Sequence, residues 1–185
     1  MLQVTATVPR GTDQTMTSEG RRQQTIGEVL AFTDRQYRLY TAVHEVGHAA
    51  TGLATGNCSV STCELPIEPG AATDAFTDIS WVTDHTAQRT QLIFLHGGLL
   101  AQEQWMREME LWTPERSHAA RSGARHDFAA MEQLSADELL IRRACDDSRE
   151  LLVRYWPGVL EAAQLLCDSG SITGQEICDA LNKHA

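Results

Sequence analysis

The sequence predicts a mainly α-helical domain with one small β-sheet, an α+β fold. The first observation is a series of long, proline-free segments, several of them preceded by residues that cap helices. The second is a pair of short segments between residues 57 and 82 that have the composition of strands and flank a turn rich in proline and glycine. The third is the composition, because 185 residues with 42% hydrophobic and 22% charged side chains are typical of one globular domain.

The first part of the chain leads to one long helix. Thr33, with Gln36 three residues on, forms a capping box, and the proline-free run that follows ends near Gly56. The segments before it are predicted as an edge strand over residues 1–9, a polar connection over 10–24 and a short helix over 26–32. We therefore expect two parts, an N-terminal extension over residues 1–32 and the domain itself over residues 33–185.

The remaining elements follow from turn and cap residues. Segments 58–67 and 75–81 predict two strands, and a long helix should follow them to about Glu110. The capping residues predicted for the later helices are Thr83 with Asp84, Pro114 at a first helical position, Ser135 to Glu138 as a capping box, and Thr173 to Glu176. Pro157, followed by Gly158, should kink or break the helix that begins after Ser135.

The long helix after Thr33 carries the pattern His44-Glu45-x-x-His48. Residues four apart lie on the same face of a helix, so both imidazoles can reach a single metal ion. Glu45 then lies where it can take a proton from a water molecule on that ion, an arrangement typical of zinc peptidases. The alternative interpretation is that the two histidines are half-buried side chains with no ligand.

A catalytic zinc site of this kind needs a third protein ligand. The extended pattern with a third histidine is absent, because Thr51 and Ala54 occupy its glycine and histidine positions. Two nearby prolines argue against Glu64 or Glu68 lying on a supporting helix. The candidates that remain are His96, Glu103, Glu108, His118, His126 and Asp127. Spacing alone does not choose among them.

Four stretches, in the same order, resemble the peptidase domain of FtsH-type membrane-bound ATP-dependent zinc metalloproteases. H-E-V-G-H-A over 44–49 is close to that family's H-E-A-G-H-A, and L-H-G-G-L-L-A-Q-E over 95–103 is similar to its L-G-G-R-A-A-E-E. S-G-A-R-H-D-F over 122–128 is similar to T-G-A-x-N-D-F/L, and I-T-G-Q-E-I over 172–177 to L-T-G-E-E-I. The resemblance covers about residues 30–185, and Leu99 and Gln102 are departures from it.

This resemblance implies an FtsH-peptidase-like, helical zincin-type fold with Zn²⁺ as the cofactor. It implies that His44, His48 and Asp127 are the metal ligands and that Glu45 is the general base. Without it, the favoured interpretation of Asp127 is an acidic residue in the first turn of a helix, where it interacts favourably with the helix dipole. His126 stands at the family's asparagine position, and we expect it to face solvent.

Several features of the family are missing from the chain. It has no P-loop pattern, no apolar run of the ~20 residues needed to cross a bilayer, and no secretory signal. We therefore expect a free-standing peptidase-like domain in the cytoplasm, where five cysteines without a signal peptide would stay reduced. A net charge of −10 argues against a nucleic-acid partner. Cys58 and Cys63 lack a second matching pair, so buried thiols in a strand are favoured over a structural zinc site.

The expected activity is zinc-dependent endopeptidase action on unfolded or flexible polypeptides. The protein would act alone or on chains supplied by a separate AAA ATPase. The alternative is a catalytically silent peptide-binding or scaffold protein with the same fold, which the departures at Leu99 and Gln102 keep open. Family members form six-fold rings, so a homo-oligomer is a further expectation that the sequence leaves open.

Overall fold

The computed structural model describes residues 24–66, 75–81 and 88–184. Within them, 74% of the residues are helical and three strands form a small antiparallel sheet, so the predicted mainly α fold is confirmed. The elements are α1 (Ile26–Leu30), α2 (Asp34–Ala54), β1 (Cys58–Glu64), β2 (Phe76–Trp81), α3 (Gln88–Glu108), α4 (Pro114–Gly123), α5 (Arg125–Leu134), α6 (Glu138–Ser169), β3 (Ser171–Thr173) and α7 (Gly174–Lys183). The predicted strand over 1–9, the polar connection up to residue 23 and the cap at Thr83 and Asp84 lie outside the described residues.

The starts of α2, α4 and α7 are found where the sequence predicts them. The Thr33 hydroxyl accepts a hydrogen bond from the backbone N–H of Gln36, whose side chain returns to the backbone of Thr33. The same capping box joins Thr173 and Glu176 at the start of α7. Pro114 occupies the first turn of α4, as expected. These caps satisfy backbone donors that a helix leaves unpaired, and at α2 and α7 the residues three apart in sequence predict them correctly.

The predicted N-cap of α6 is wrong, and of the kink or break predicted at Pro157 the break is wrong. The observed N-cap is Asp137, whose carboxylate accepts from two backbone N–H groups of the first turn, whereas the predicted cap Ser135 lies two residues earlier. The helix also continues through Pro157 instead of breaking there. Packing accounts for this, because Trp156 is buried and Gly158 lies against α7, where a Cβ would come within 2.7 Å of the Ala180 carbonyl oxygen. Tertiary contacts therefore outweigh the local preference of proline.

The sheet has the strand order β2-β1-β3, so β1 lies in the middle and β2 along one edge. Cys63 of β1 pairs with Thr77 of β2 on one side and with Ile172 of β3 on the other. The sequence did not predict β3, which has three residues. Cys58 and Cys63 are both buried free thiols within β1, which confirms their interpretation as buried strand residues.

Helix α2 is the centre of the molecule and packs against α3, α6 and the sheet. All of its residues from Tyr40 to Gly52 are buried. It crosses α3 at a pair of glycines: a Cβ on Gly47 would lie 2.6 Å from the carbonyl oxygen of Gly97. This close crossing places α3 directly beneath the face of α2 that carries the histidines. Among the described residues, no helix is both long and apolar enough to span a lipid bilayer.

Candidate metal centre

His44, His48 and Asp127 converge in the interior of the protein. The two histidines lie on successive turns of α2, and Asp127 lies in the first turn of α5. The Nε2 atoms of His44 and His48 are 3.0 Å apart, and Oδ2 of Asp127 lies 3.5 Å from each of them. All three side chains are buried, with at most 3% of any residue exposed. The structure therefore brings together three potential metal ligands from two helices that are far apart in sequence.

The distances among these three atoms fit a metal ion. In a tetrahedral zinc site with ligand bonds of about 2.0–2.2 Å, neighbouring ligand atoms are about 3.3–3.6 Å apart. The observed separations of 3.0 and 3.5 Å are close to that spacing. Two imidazoles and one carboxylate also match the ligand chemistry of first-row transition metals. This buried group could hold a metal ion.

His48 is held in the orientation that a metal ligand needs. Its Nδ1–H donates a hydrogen bond of 2.7 Å to the carbonyl oxygen of Phe94 on α3, and its ring stacks on the Phe94 ring. Because Nδ1 carries the proton in this bond, Nε2 of the neutral ring presents its lone pair to the centre. Nδ1 of His44 is buried and has no hydrogen-bond partner among the described residues.

Without a bound ion, the electrostatics of the group favour a protonated His48 and an ionised Asp127. Burial by itself lowers the pKa of His48, but the neighbouring Asp127 carboxylate outweighs this effect and raises that pKa to about 9. Burial likewise acts to raise the pKa of Asp127, but the two imidazoles hold it well below its usual range. The carboxylate is therefore ionised at neutral pH, which is the state in which it binds a cation.

Gly98 gives the two imidazoles the space they occupy. It lies on α3 directly against them, and a Cβ at this position would be 2.6 Å from Cε1 and 2.8 Å from Nδ1 of His44. It would also overlap Nε2 of His48. Only a residue without a side chain fits there, so the Gly97-Gly98 pair shapes both the helix crossing and the histidine site.

Glu45 is buried within α2, next to the first histidine in the sequence. The residue is 0% exposed, and burial raises the pKa of its carboxyl group. Thr77 on β2 donates a hydrogen bond of 2.8 Å to Oε2 of Glu45, and the same hydroxyl lies 3.0 Å from the Glu45 carbonyl oxygen. Oε1 has no hydrogen-bond partner among the described residues. A buried carboxylate with one unpaired oxygen is costly for stability, which is common at functional sites.

The other candidates for a third ligand lie elsewhere. Glu103 accepts a hydrogen bond from Ser117, and Glu108 accepts one from Trp156. His118 and His126 are exposed, the latter as expected. His96 lines a neighbouring cavity and is not part of the ligand group. Of the six residues that the spacing left open, Asp127 is the one that joins the two histidines.

Leu99 and Gln102, the two departures from the FtsH-type sequence pattern, are both buried. Gln102 is 1% exposed, and its side-chain amide donates to the backbone carbonyl of Tyr40 on α2. Leu99 is buried and lines a cavity of about 400 Å³ that borders Asp127. Apolar side chains of α3, α5 and α6 line this cavity together with about as many polar and charged ones, including Arg121, Arg142 and Arg149.

Comparisons with known proteins add no relatives. No family model matches the chain, and a search of curated proteins gives no significant match. The resemblance to FtsH-type peptidases therefore stays a prediction, and the case for a function depends on the geometry of the site.

Proposed function

We propose that this protein is a zinc-dependent endopeptidase that hydrolyses peptide bonds in unfolded or flexible polypeptides. The observation that carries the proposal is the buried set of His44, His48 and Asp127, with the buried Glu45 next to His44 in the sequence and within electrostatic range of both imidazoles. A metal that only supports the fold is normally held by four protein ligands and needs no acid–base residue. Three ligands and a neighbouring carboxylate favour a catalytic site, and the motif resemblance to FtsH-type peptidases supports the same reaction.

Zinc is the metal we infer from the ligands. Two imidazole nitrogens and one carboxylate oxygen at tetrahedral spacing suit Zn²⁺, although cobalt or manganese would use the same ligands. Zinc in such a site supplies Lewis-acid polarisation of the scissile carbonyl and makes water acidic enough to lose a proton near neutral pH. His44, His48 and Asp127 bind the ion, and the Phe94 carbonyl orients His48 through its Nδ1–H.

Glu45 performs the proton transfers in this proposal. Its carboxylate takes a proton from the attacking water and then delivers that proton to the nitrogen of the leaving amine. The surrounding protein excludes bulk water from the carboxylate, because Glu45 is 0% exposed and lies between α2 and β2. This protection keeps the transferred proton at the reaction centre.

The edge of the sheet offers a place for an extended substrate. Strand β2 lies at the edge of the strand order, and its Thr77 touches Glu45, so the strand runs beside the proposed base. An extended peptide added to such an edge forms main-chain hydrogen bonds with little sequence selectivity. Folded proteins would first need to be unfolded, which in this proposal is the task of a separate ATPase.

The experiment that tests the proposal is digestion of casein, an unfolded protein, followed by mass spectrometry of the peptides. We expect cleavage at internal peptide bonds of casein. The chelator 1,10-phenanthroline should abolish this cleavage and added zinc should restore it, whereas the non-chelating isomer 1,7-phenanthroline should have no effect. Binding of casein and of one zinc ion without cleavage would instead favour the peptide-binding scaffold. Cleavage that persists in the absence of all metal would contradict the proposal.

A further inference from the structure

Thr77 connects the edge strand to the carboxylate of Glu45. Its hydroxyl lies 2.8 Å from Oε2 and 3.0 Å from the carbonyl oxygen of the same residue. A hydroxyl has one hydrogen to donate, and the shorter bond to a charged oxygen is the stronger one. Thr77 is 1% exposed, so no water competes for this bond.

Neighbouring groups fix the Thr77 hydroxyl itself. Thr77 and Cys63 are cross-strand partners in the β1–β2 ladder, and the Cys63 sulfur lies 3.4 Å from Oγ1 of Thr77. Burial raises the pKa of the Cys63 thiol, so it keeps its proton. The thiol can therefore donate weakly to Oγ1 or to the Glu45 carbonyl oxygen, which lies 3.9 Å from the sulfur. In both cases the hydroxyl hydrogen can point at the Glu45 carboxylate.

The two carboxylate oxygens of Glu45 consequently have different surroundings. Oε2 is held by Thr77, whereas Oε1 is buried and has no hydrogen-bond partner among the described residues. We propose that Thr77 is a positioning residue that fixes the Glu45 carboxylate through Oε2 and leaves Oε1 as the oxygen that accepts and returns the proton. The catalytic half of this inference rests on the proposed peptidase function.

The kinetic test compares Thr77→Val, which removes the hydroxyl but keeps the shape, with Thr77→Ser, which keeps the hydroxyl. We expect Thr77→Val to lower kcat by about 10- to 100-fold, since a lost hydrogen bond to a charged group has an effect of that size. KM and the zinc content per chain should stay within about twofold of wild type, and Thr77→Ser should restore most of kcat. Thr41→Val is the matched control, because Thr41 is a buried threonine whose hydroxyl donates to the Tyr37 carbonyl of its own helix and, within the described part of the chain, to no other group. Equal losses in the valine and serine variants, or loss of zinc in Thr77→Val, would overturn the positioning role.

A double-mutant cycle on the zinc-free protein tests the same contact without any activity. Urea unfolding should show that Thr77→Val lowers the folding equilibrium constant by about tenfold in the wild-type background and by less than about threefold when Glu45→Ala is present. The same loss in both backgrounds would show that the hydroxyl does not hold the carboxylate, which would refute the inference. If the cycle shows coupling but no casein is cleaved under any condition, the proposed function fails while the hydroxyl–carboxylate contact stands.

Discussion

Adding one methyl group at Gly98 should damage the proposed metal centre more than the fold. In Gly98→Ala, the new Cβ would lie 2.6 Å from Cε1 and 2.8 Å from Nδ1 of His44. Ordinary contacts of this kind begin near 3.5 Å, so the imidazole or the helix must move by about 0.7–0.9 Å. Metal–ligand distances tolerate deviations of only about 0.2 Å. We therefore expect zinc affinity to fall by about 100-fold or more.

The cost to stability should be smaller. Overpacking a buried site typically costs about 1–3 kcal/mol, and replacing glycine by alanine inside a helix returns about 1 kcal/mol. The metal-free variant should therefore lose about 0–2 kcal/mol of unfolding free energy. Helix α3 has little freedom to relieve the overlap, because Gly97 is already in close contact with Gly47 of α2.

Zinc affinity by competition with a chromophoric chelator and urea unfolding of the metal-free protein measure the two effects separately. Gly123→Ala is the matched control, since Gly123 is also helical but a Cβ there meets nothing within 4 Å. The control should bind zinc like wild type. A Gly98→Ala variant that keeps wild-type zinc affinity would refute the assignment of the ion to this group.

Two further predictions concern the third ligand and the thiols. Asp127→Asn should leave less than about 0.1 zinc per chain after dialysis, because the substitution removes the charged ligand. The control Asp146→Asn, which alters an exposed ion pair, should retain the metal. Equal zinc contents in the two variants, measured by atomic emission, would contradict this prediction. In the native protein at pH 8, iodoacetamide should spare Cys58, whose thiol pKa burial raises to about 12, and react with the partly exposed Cys145. Only the thiolate reacts, so the reactivity of Cys58 should rise as the pH approaches its pKa. Unfolding in urea at pH 8 should also make Cys58 reactive. Prompt labelling of Cys58 in the native protein, detected by peptide mass spectrometry, would show that β1 is not packed as described.

The sequence predicts the helix of the metal centre well because the signals are local. Thr33 and Gln36 are three residues apart and cap each other, and His44 and His48 are four apart and share a face. Asp127 needed the family resemblance, because its distance from the histidines along the chain hides their contact.

Other features depend on long-range packing and have no local signal. The hydrogen bond from Thr77 joins the edge strand to α2 across 32 residues, and the carbonyl of Phe94 accepts a hydrogen bond from Nδ1–H of His48 across 46 residues. The continuation of α6 through Pro157 depends on its contact with α7. The Gly97-Gly98 pair is visible in the sequence, but its role in making room for the histidines appears only once the helices are packed.

The most direct test of the central claim is parallel measurement of casein cleavage and bound zinc in wild type and Glu45→Gln. Glu132→Gln on the exposed face of α5 serves as the control. The proposed function predicts about one zinc per chain in all three proteins and a loss of cleavage in Glu45→Gln of about 100-fold or more. Undiminished cleavage by Glu45→Gln would contradict the claim that Glu45 is the general base. Absence of bound zinc from the wild type, even after reconstitution, would contradict the metal centre itself.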